Sequence, residues 1–274
     1  MSRIRISPST TRLLFFYLFA FAISWIFWWG MSRAFHGGGA LSSMTLVFST
    51  IGALGPLLSL WIMGKLSHGA VRLSAILGTI RIRGVDRRWF VPAALAVPVL
   101  VVVGNLVNTL LGREATLQVF QEGPARLGIA VLPVMLLHFA AALFTSPLFE
   151  EPGWRGFALP QLQQRFGREI GSLVVGSLWW LWHQPMNMTF GIEPTVYGFF
   201  YMVLQSFLID SLFNLSGRNL ATAMLAHQSM GTTIMFLYAG RHNPVTLALL
   251  VVAVIVLRLR ERKVAPVPPG AQTA

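Results

Sequence analysis

The sequence contains no cysteine, and only nine of its 274 residues are acidic. A chain without cysteine cannot form a disulfide framework, a thiol nucleophile or a cysteine-ligated zinc site. Charged residues make up 11% of the chain and hydrophobic residues 55%. Soluble domains carry about 25% charged residues, so this composition excludes an ordinary soluble domain and predicts an integral membrane protein surrounded by a lipid bilayer.

Positive charge is the exception to this scarcity, because 21 Lys and Arg residues give the chain a net charge of +12. These cations cluster in the connections between apolar runs instead of covering a soluble surface, so we expect no nucleic-acid partner. If the chain has eight spans, 17 cations fall on the side that holds both termini and four fall on the other side. This excess predicts cytosolic termini in a protein of the cell membrane.

Eight apolar runs are long enough to be membrane spans. Their predicted ranges are 13–35, 41–64, 89–111, 127–149, 170–189, 195–215, 219–238 and 244–259, with a break at Gly55-Pro56 in the second and a start at 127 or 133 for the fourth. Helical apolar spacing at 73–80 and 159–166 predicts two interfacial helices. Trp25, Trp28 and Trp29 are expected to anchor the first span at the membrane interface.

The fold class that follows is all-α, a polytopic membrane helix bundle of about eight transmembrane helices with short interfacial helices. We expect residues 1–264 to form one integral membrane domain. The tail 265–274 is rich in Pro, Gly and Ala and is predicted to be disordered. The sequence shows no repeat of fixed period and no separate soluble domain.

Two adjacent glutamates, Glu150 and Glu151, follow an apolar segment, 127–149, that has no Asp, Glu, Lys or Arg. A charged side chain inside a bilayer costs about 2.5–3.5 kcal/mol or more unless it faces a polar cavity or a partner. Arg155 lies four residues after Glu151, a spacing that places both side chains on one face of a helix. Pro152-Gly153 can break that helix, which weakens the argument from spacing. The ordinary alternative to a buried pair is that the glutamates lie at a helix end that reaches water.

Three further polar residues lie inside predicted spans: His183, His227 and Asp210. A single intramembrane His is commonly a packing residue, whereas two on different helices with a carboxylate pair on a third predict one shared cavity. There a carboxylate could take a proton from water while the imidazoles orient the water or stabilise an oxyanion. Glu150 with both histidines is also the ligand set of a hydrolytic zinc site. Asp210 is expected to be structural, capping a helix or pairing with an arginine.

The paired glutamates and the two histidines stand in an order that matches a known family. The matching residues are Glu150-Glu151-x-x-x-Arg155, then Trp179-x-x-x-His183, then His227 in a later span. This pattern resembles the CAAX protease and bacteriocin-processing (CPBP) family of intramembrane endopeptidases, which includes the type II CAAX prenyl protease. The resemblance covers about residues 130–240, the expected protease core.

The resemblance implies a role for each motif residue. Glu150 would be the general base that activates water, and Glu151 and Arg155 would support it. His183 and His227 would position the water or bind the tetrahedral oxyanion. Family members are described both as metal-free glutamate peptidases and as metalloproteases. We expect no cofactor, because no further strong ligand is evident, with zinc on Glu150, His183 and His227 as the alternative.

One position departs from the family pattern. Gly231 lies four residues after His227, where the family usually has Asn or Asp. An oxyanion donor is therefore missing from this position, unless Thr232 or Asn187 replaces it. The departure leaves open whether the chain is a fully active enzyme.

Three functions remain compatible with these residues. The leading one is an endopeptidase that acts on a peptide or membrane-protein substrate. The alternative is a catalytically weakened or inactive family member that serves as a bacteriocin-immunity or membrane assembly factor. A proton-coupled transporter is the third, since intramembrane Glu and His form proton relays. A transporter is expected to show internal repeats, and the sequence shows none.

Overall fold

The computed structural model describes residues 8–39, 42–113, 131–237 and 243–263. All regular secondary structure within these ranges is helical, so the predicted all-α fold class is confirmed. The α-helices in chain order are α1 (Pro8–Gly38), α2 (Ser43–Ala53), α3 (Gly55–Leu66), α4 (Leu73–Leu77), α5 (Phe90–Leu110), α6 (Val131–Ala142), α7 (Ser146–Glu151), α8 (Leu159–Phe166), α9 (Arg168–Trp182), α10 (Gln184–Thr189), α11 (Val196–Leu215), α12 (Leu220–Leu237) and α13 (Pro244–Arg262). A one-turn 3-10 helix, Arg87–Trp89, precedes α5, and a π-helix, Pro152–Ala158, joins α7 to α8.

Four helical stretches in the described part of the chain are long and apolar enough to cross a membrane. They are Ser9–Gly38, Arg87–Leu110, Leu132–Phe166 and Val196–Leu215. Helices α2 and α3, which meet with a bend of 50° at the predicted break, add a fifth span if they count as one. Three further predicted spans correspond to α9, α12 and α13, which are shorter or more polar. The fold is a polytopic membrane bundle, and the count of eight spans stays a prediction.

The fourth predicted span extends well past the paired glutamates, because one long helical stretch, Leu132–Phe166, contains them. The helix predicted at 159–166 is present as α8, and no gap separates it from the rest of this stretch. Its interfacial position stays a prediction. Pro152-Gly153 does not break the helix. Pro152 begins the π-helix directly after α7, and the chain stays helical through it. The other interfacial helix, predicted at 73–80, is the five-residue α4.

The chain forms two compact units, which we describe separately. Unit 1 consists mainly of residues 1–78 and 149–199, and unit 2 mainly of residues 79–148 and 200–272. The paired glutamates, Arg155 and His183 belong to unit 1, whereas His227 belongs to unit 2. The single membrane domain over 1–264 stays a prediction, and the tail 265–274 lies outside the described residues.

In unit 1, α1 packs against α2 and α3, and a small residue lets two of these helices approach closely. A Cβ at Gly52 would overlap the Trp28 indole, so a larger residue does not fit there. Ser24 Oγ donates a hydrogen bond to the Gly52 carbonyl oxygen at 2.7 Å. Trp28 is consequently only 1% exposed, and its expected role as an interfacial anchor is wrong. Trp25 and Trp29 are 38% and 62% exposed, which is compatible with the predicted anchor role.

In unit 2, α5 packs against both α12 and α13. Ser229 Oγ on α12 donates a hydrogen bond to the Ala94 carbonyl oxygen on α5 at 2.7 Å. A Cβ at Gly104 of α5 would overlap Thr246 of α13, so these two helices also touch through a glycine. These contacts hold α12, the helix that carries His227, against α5.

Candidate active site

Both glutamates of the pair are buried at the end of α7, with Glu150 2% exposed and Glu151 fully buried. The alternative in which this pair reaches water at a helix end is therefore wrong. The residues that follow, Pro152–Ala158, form the π-helix, a feature that is frequent at functional sites. The wider turns keep the chain helical directly after the two carboxylates and carry Arg155 inside the protein.

Arg155 pairs with Glu151 as the sequence predicts. Its Nη1 donates a hydrogen bond to Glu151 Oε1 at 3.0 Å, and both side chains are fully buried. The four-residue spacing thus brings the two groups together even though the intervening turns are π-helical. An ion pair buried on both sides depends on each partner, because removal of one leaves an uncompensated charge inside the protein.

Trp179 on α9 connects the acidic motif to the first histidine. Its Nε1 donates a hydrogen bond to Glu150 Oε2 at 2.8 Å, so the indole fixes the orientation of that carboxylate. The Arg155 guanidinium lies 4.6 Å from the centre of the Trp179 ring, a cation–π contact. The backbone carbonyl of the same residue faces the His183 ring. Four of the five predicted site residues therefore lie in one cluster of unit 1, with Glu151 joined to it through Arg155.

Trp179 is not among the site residues that the sequence predicts. It is the first residue of the Trp179-x-x-x-His183 motif, and side chains four residues apart share one face of a helix. That spacing could have identified Trp179 as a residue on the same helix face as His183. What the sequence could not show is that this face meets Glu150, which lies 29 residues earlier in the chain.

His183 lies at the junction of α9 and α10 and not inside one continuous helix, which corrects the predicted span 170–189. Pro185, in the first turn of α10, has no N–H to continue the helical ladder. His183 Nδ1 lies 2.8 Å from the Trp179 carbonyl oxygen. Because a carbonyl can only accept, we infer that Nδ1 carries the proton and that Nε2 is the acceptor of the neutral ring.

Besides Trp179, three buried tryptophans surround this histidine or pack against the rings that surround it. The His183 ring stacks 6.2 Å from Trp28 and meets Trp182 edge-on at 4.7 Å. Trp154, from the acidic motif, packs edge-on against Trp182 at 5.6 Å. These contacts restrict the ring to one orientation and surround it with apolar surface.

Gly153 lets the acidic motif approach its neighbours this closely. A Cβ at this position would lie 2.8 Å from Pro56 Cβ and 2.9 Å from Phe16 Cζ, which is closer than real Cβ contacts allow. The glycine of the Glu-Glu-Pro-Gly-Trp-Arg motif is therefore required by packing against α1 and α3. This requirement is structural, and it keeps the carboxylates at a fixed place in unit 1.

His227 is buried on α12 of unit 2, 5% exposed. On the adjoining part of α12, Gln228 Nε2 donates a hydrogen bond to Thr232 Oγ1 at 2.9 Å. The same hydroxyl lies 3.4 Å from Nδ1 of His138 on α6, a long contact. Thr232 is thus already engaged by two side chains, which makes it a poor substitute for the missing oxyanion donor. Among the described residues, and leaving aside the backbone of its own helix, no atom lies within 4 Å of a Cβ at Gly231, so space remains at this position.

The two remaining polar candidates, Asp210 and Asn187, lie in different units. Asp210 on α11 is fully buried in unit 2. The backbone N–H of Asn187 donates to the His183 carbonyl oxygen at 2.9 Å, which places Asn187 one helical turn from that histidine. Within the described part of either unit, no three or more His, Asp or Glu side chains are arranged to hold a metal ion. The zinc alternative and the metal-free expectation both stay predictions.

If Glu150 is the base of a hydrolytic reaction, as the family resemblance implies, Trp179→Phe is expected to lower the rate of hydrolysis by about tenfold. The substitution removes the indole N–H that orients Glu150 but keeps an aromatic ring beneath Arg155, and a hydrogen bond to a charged group is worth about 1.5–3 kcal/mol. The measurement is kcat in reconstituted vesicles. Trp180→Phe, one residue further along the same helix, is the matched control and should retain the wild-type rate. Equal rates for both variants and wild type would show that the indole does not position Glu150.

Two comparisons with known proteins bear on the family resemblance. The family model of Rce1-like type II CAAX prenyl endopeptidases matches residues 130–233, a range that contains all five predicted site residues. The family resemblance is confirmed. CAAX prenyl protease 2 of Methanococcus maripaludis is 24% identical over 174 residues, which cover 62% of this chain and 61% of that relative. With its apolar helices, the chain is an integral membrane protein.

Proposed function

We propose that this protein is an intramembrane endopeptidase in which Glu150 activates the water that hydrolyses a peptide bond. The observation that carries the proposal is a buried carboxylate held by an indole hydrogen bond, one residue before a buried carboxylate–arginine pair. Ionisable groups inside an apolar membrane protein are costly and mark functional sites. The likeness to type II CAAX prenyl endopeptidases supports the same class of reaction.

In the proposed reaction, Glu150 takes a proton from a water molecule while the water oxygen bonds to the peptide carbonyl carbon. The electron pair of the carbonyl bond moves to its oxygen and forms a tetrahedral oxyanion. The proton then passes from Glu150 to the amide nitrogen, the oxyanion re-forms the carbonyl bond, and the C–N bond breaks. The products are an amine and a carboxylic acid, which loses its remaining proton to water. General acid–base catalysis of this kind contributes about 10²–10⁴-fold to a rate.

The neighbouring residues have positioning and electrostatic roles in this proposal. Arg155 balances the charge of Glu151, so the two adjacent carboxylates are accompanied by a cation. His183 has its Nδ1 engaged by the Trp179 carbonyl and presents Nε2 to water or, when protonated, to the oxyanion. We assign His227 the second contact with the water or the oxyanion, as the family pattern implies.

The name of the curated relative suggests the first substrate class to test. That relative is a CAAX prenyl protease, so we propose peptides or membrane proteins with a C-terminal CAAX sequence, prenylated or not, as candidate substrates. A lipid-modified or membrane-embedded substrate would approach the protein from the bilayer. We further propose that the protein resides in the cell membrane with both termini in the cytosol, where the cationic connections favour them.

The test of the proposed function uses the full chain reconstituted in phospholipid vesicles. Farnesylated CAAX peptides and their unmodified counterparts are added in ¹⁸O-labelled water, and products are identified by mass spectrometry. Hydrolysis predicts cleavage at one peptide bond with ¹⁸O in the new carboxylate. Absence of cleavage across both peptide sets would favour the non-enzymatic role in bacteriocin immunity or membrane assembly.

A metal-free mechanism makes a separate prediction. Exhaustive chelation is expected to leave the rate of hydrolysis unchanged, because protein side chains alone would activate the water. The zinc content of the purified protein, measured by plasma mass spectrometry, should be far below one ion per chain. Stoichiometric zinc that is lost together with activity, and restored with it, would instead assign Glu150, His183 and His227 as ligands.

Gly231 is the observation that favours the second candidate, a catalytically weakened member of the family. Gly231→Asn is expected to raise kcat by about tenfold, because it returns an amide donor to a position with open space, and one oxyanion donor is worth about 10²–10³-fold elsewhere. Gly231→Ala adds the Cβ without the amide and should leave kcat unchanged. A rate that falls equally in both variants would show that side-chain bulk, and not a missing donor, matters at this position.

A further inference from the structure

A basic segment, 79–89, precedes α5 in unit 2. Arg81, Arg83 and Arg87 are exposed, and no carboxylate among the described residues forms an ion pair with any of them. Arg88 is exposed as well but is neutralised by Asp86. Ile82, between the first two arginines, is 67% exposed. The segment thus presents three unneutralised guanidinium groups around an exposed apolar side chain.

This segment is held in place and is not a loose loop. Asn219, 3% exposed, donates through Nδ2 to the Arg81 carbonyl oxygen at 2.8 Å and accepts from the Arg81 N–H through Oδ1 at 3.1 Å. Beside it, the Leu220 N–H donates to the Thr79 carbonyl oxygen at 3.1 Å. The backbone of the basic segment is therefore fixed to the start of α12, while its arginine side chains remain exposed.

The end of α13 lies at the same end of unit 2. Glu261 accepts a hydrogen bond from Asn214 Nδ2 at 3.1 Å, and Asn214 precedes the clamping Asn219 by five residues. The cations that α13 adds here, all exposed, are Arg260, Arg262 and Lys263. Glu261 itself is buried and pairs with Arg258, so it offsets none of these exposed charges. The result is a broad positive surface at one end of the unit.

We propose that this surface binds the phosphodiester headgroups of anionic phospholipids. The argument is charge complementarity: several exposed guanidinium groups face outward from the end of membrane helices, where headgroups lie. Arginine matches phosphate oxygens with a fork of N–H donors. Ile82 adds an apolar side chain of the kind that enters the boundary between headgroups and acyl chains. The partner is a lipid, so the site is independent of peptide hydrolysis.

The test measures lipid binding to the purified full chain, by native mass spectrometry, with dioleoylphosphatidylglycerol and dioleoylphosphatidylcholine as probes. Wild-type protein is expected to bind the anionic lipid at least tenfold more tightly than the zwitterionic one. Each arginine near an anionic surface contributes about fivefold in affinity, so Arg81→Gln with Arg83→Gln should weaken phosphatidylglycerol binding by about 25-fold. Thermal unfolding of each variant without lipid checks that the fold is kept.

The matched control replaces Arg33 and Arg113, which are exposed arginines outside the basic segment. This pair of changes removes the same net charge and should alter phosphatidylglycerol affinity by less than about twofold. Ile82→Ser keeps all the arginines and should weaken binding severalfold. Equal losses in both double variants would show a net-charge effect and overturn the site. Displacement of the lipid by millimolar inorganic phosphate would assign the surface to free phosphate instead and would also overturn the proposal.

Discussion

Replacing Glu150 by Gln is expected to lower the rate of peptide hydrolysis by about 10²–10⁴-fold while the protein keeps its fold. Gln has nearly the same shape, and its side-chain oxygen can accept the hydrogen bond that Trp179 Nε1 now donates to the carboxylate at 2.8 Å. The amide cannot take a proton from water, so the loss falls on kcat. Rates in vesicles and the midpoint of thermal unfolding measure the two effects separately.

Glu193 provides the matched control for this substitution. It is an exposed glutamate in unit 1, so Glu193→Gln removes one negative charge without touching the buried cluster and should keep the wild-type rate. Glu150→Asp retains the charge on a shorter side chain and should fall between wild type and Glu150→Gln. Wild-type turnover in Glu150→Gln would remove this residue as the general base.

Replacing Arg155 by Met is expected to destabilise the folded protein by about 3–5 kcal/mol, because Glu151 would remain buried without its cation. Both side chains of the pair are fully buried and are joined at 3.0 Å, so water cannot take the place of the guanidinium. The substitution also removes the cation–π contact with Trp179. The loss would be measured as the change in free energy of unfolding in detergent micelles.

The double variant Arg155→Met with Glu151→Leu tests the reason for that loss. Removing both charges eliminates the uncompensated carboxylate, so the pair of changes should cost less than Arg155→Met alone. Arg165→Met, an exposed arginine further along the same helical stretch, should change the stability by less than about 0.5 kcal/mol. A double variant that loses as much as the sum of its two single variants would show that the two side chains are not energetically coupled.

The pairing of Glu151 with Arg155 could be predicted because it is local. Residues four apart meet on a helix, and a charge surrounded by apolar sequence needs a partner. The prediction for Trp28 is wrong. A tryptophan near the end of a span is commonly an interfacial anchor, and its position in the sequence cannot show whether it is buried instead. Only packing shows that Gly52 leaves room for the indole and buries it.

The break of the second span and the junction at His183 illustrate the same distinction. Gly55-Pro56 predicts the break in the second span, because proline removes a helical N–H. The structure confirms it with a bend of 50° at this place. Pro185, two residues after His183, is also a proline that can end a helix. The length of the apolar run nevertheless favours one continuous span over 170–189. Pro152-Gly153 has the same signal, yet there the chain continues as a π-helix, in which Gly153 packs closely against Pro56 and Phe16.

The sequence by itself determined the membrane class, the all-α fold and the motifs of the candidate site. Composition and the spacing of nearby residues can be determined from the sequence without knowledge of how the helices pack. The tertiary structure alone decided that Trp179 donates to Glu150 across 29 residues and that Gly153 is needed for packing. It also decided that Asn219 clamps the basic segment. Those contacts join distant parts of the chain, so they depend on how the helices pack and not on any local pattern.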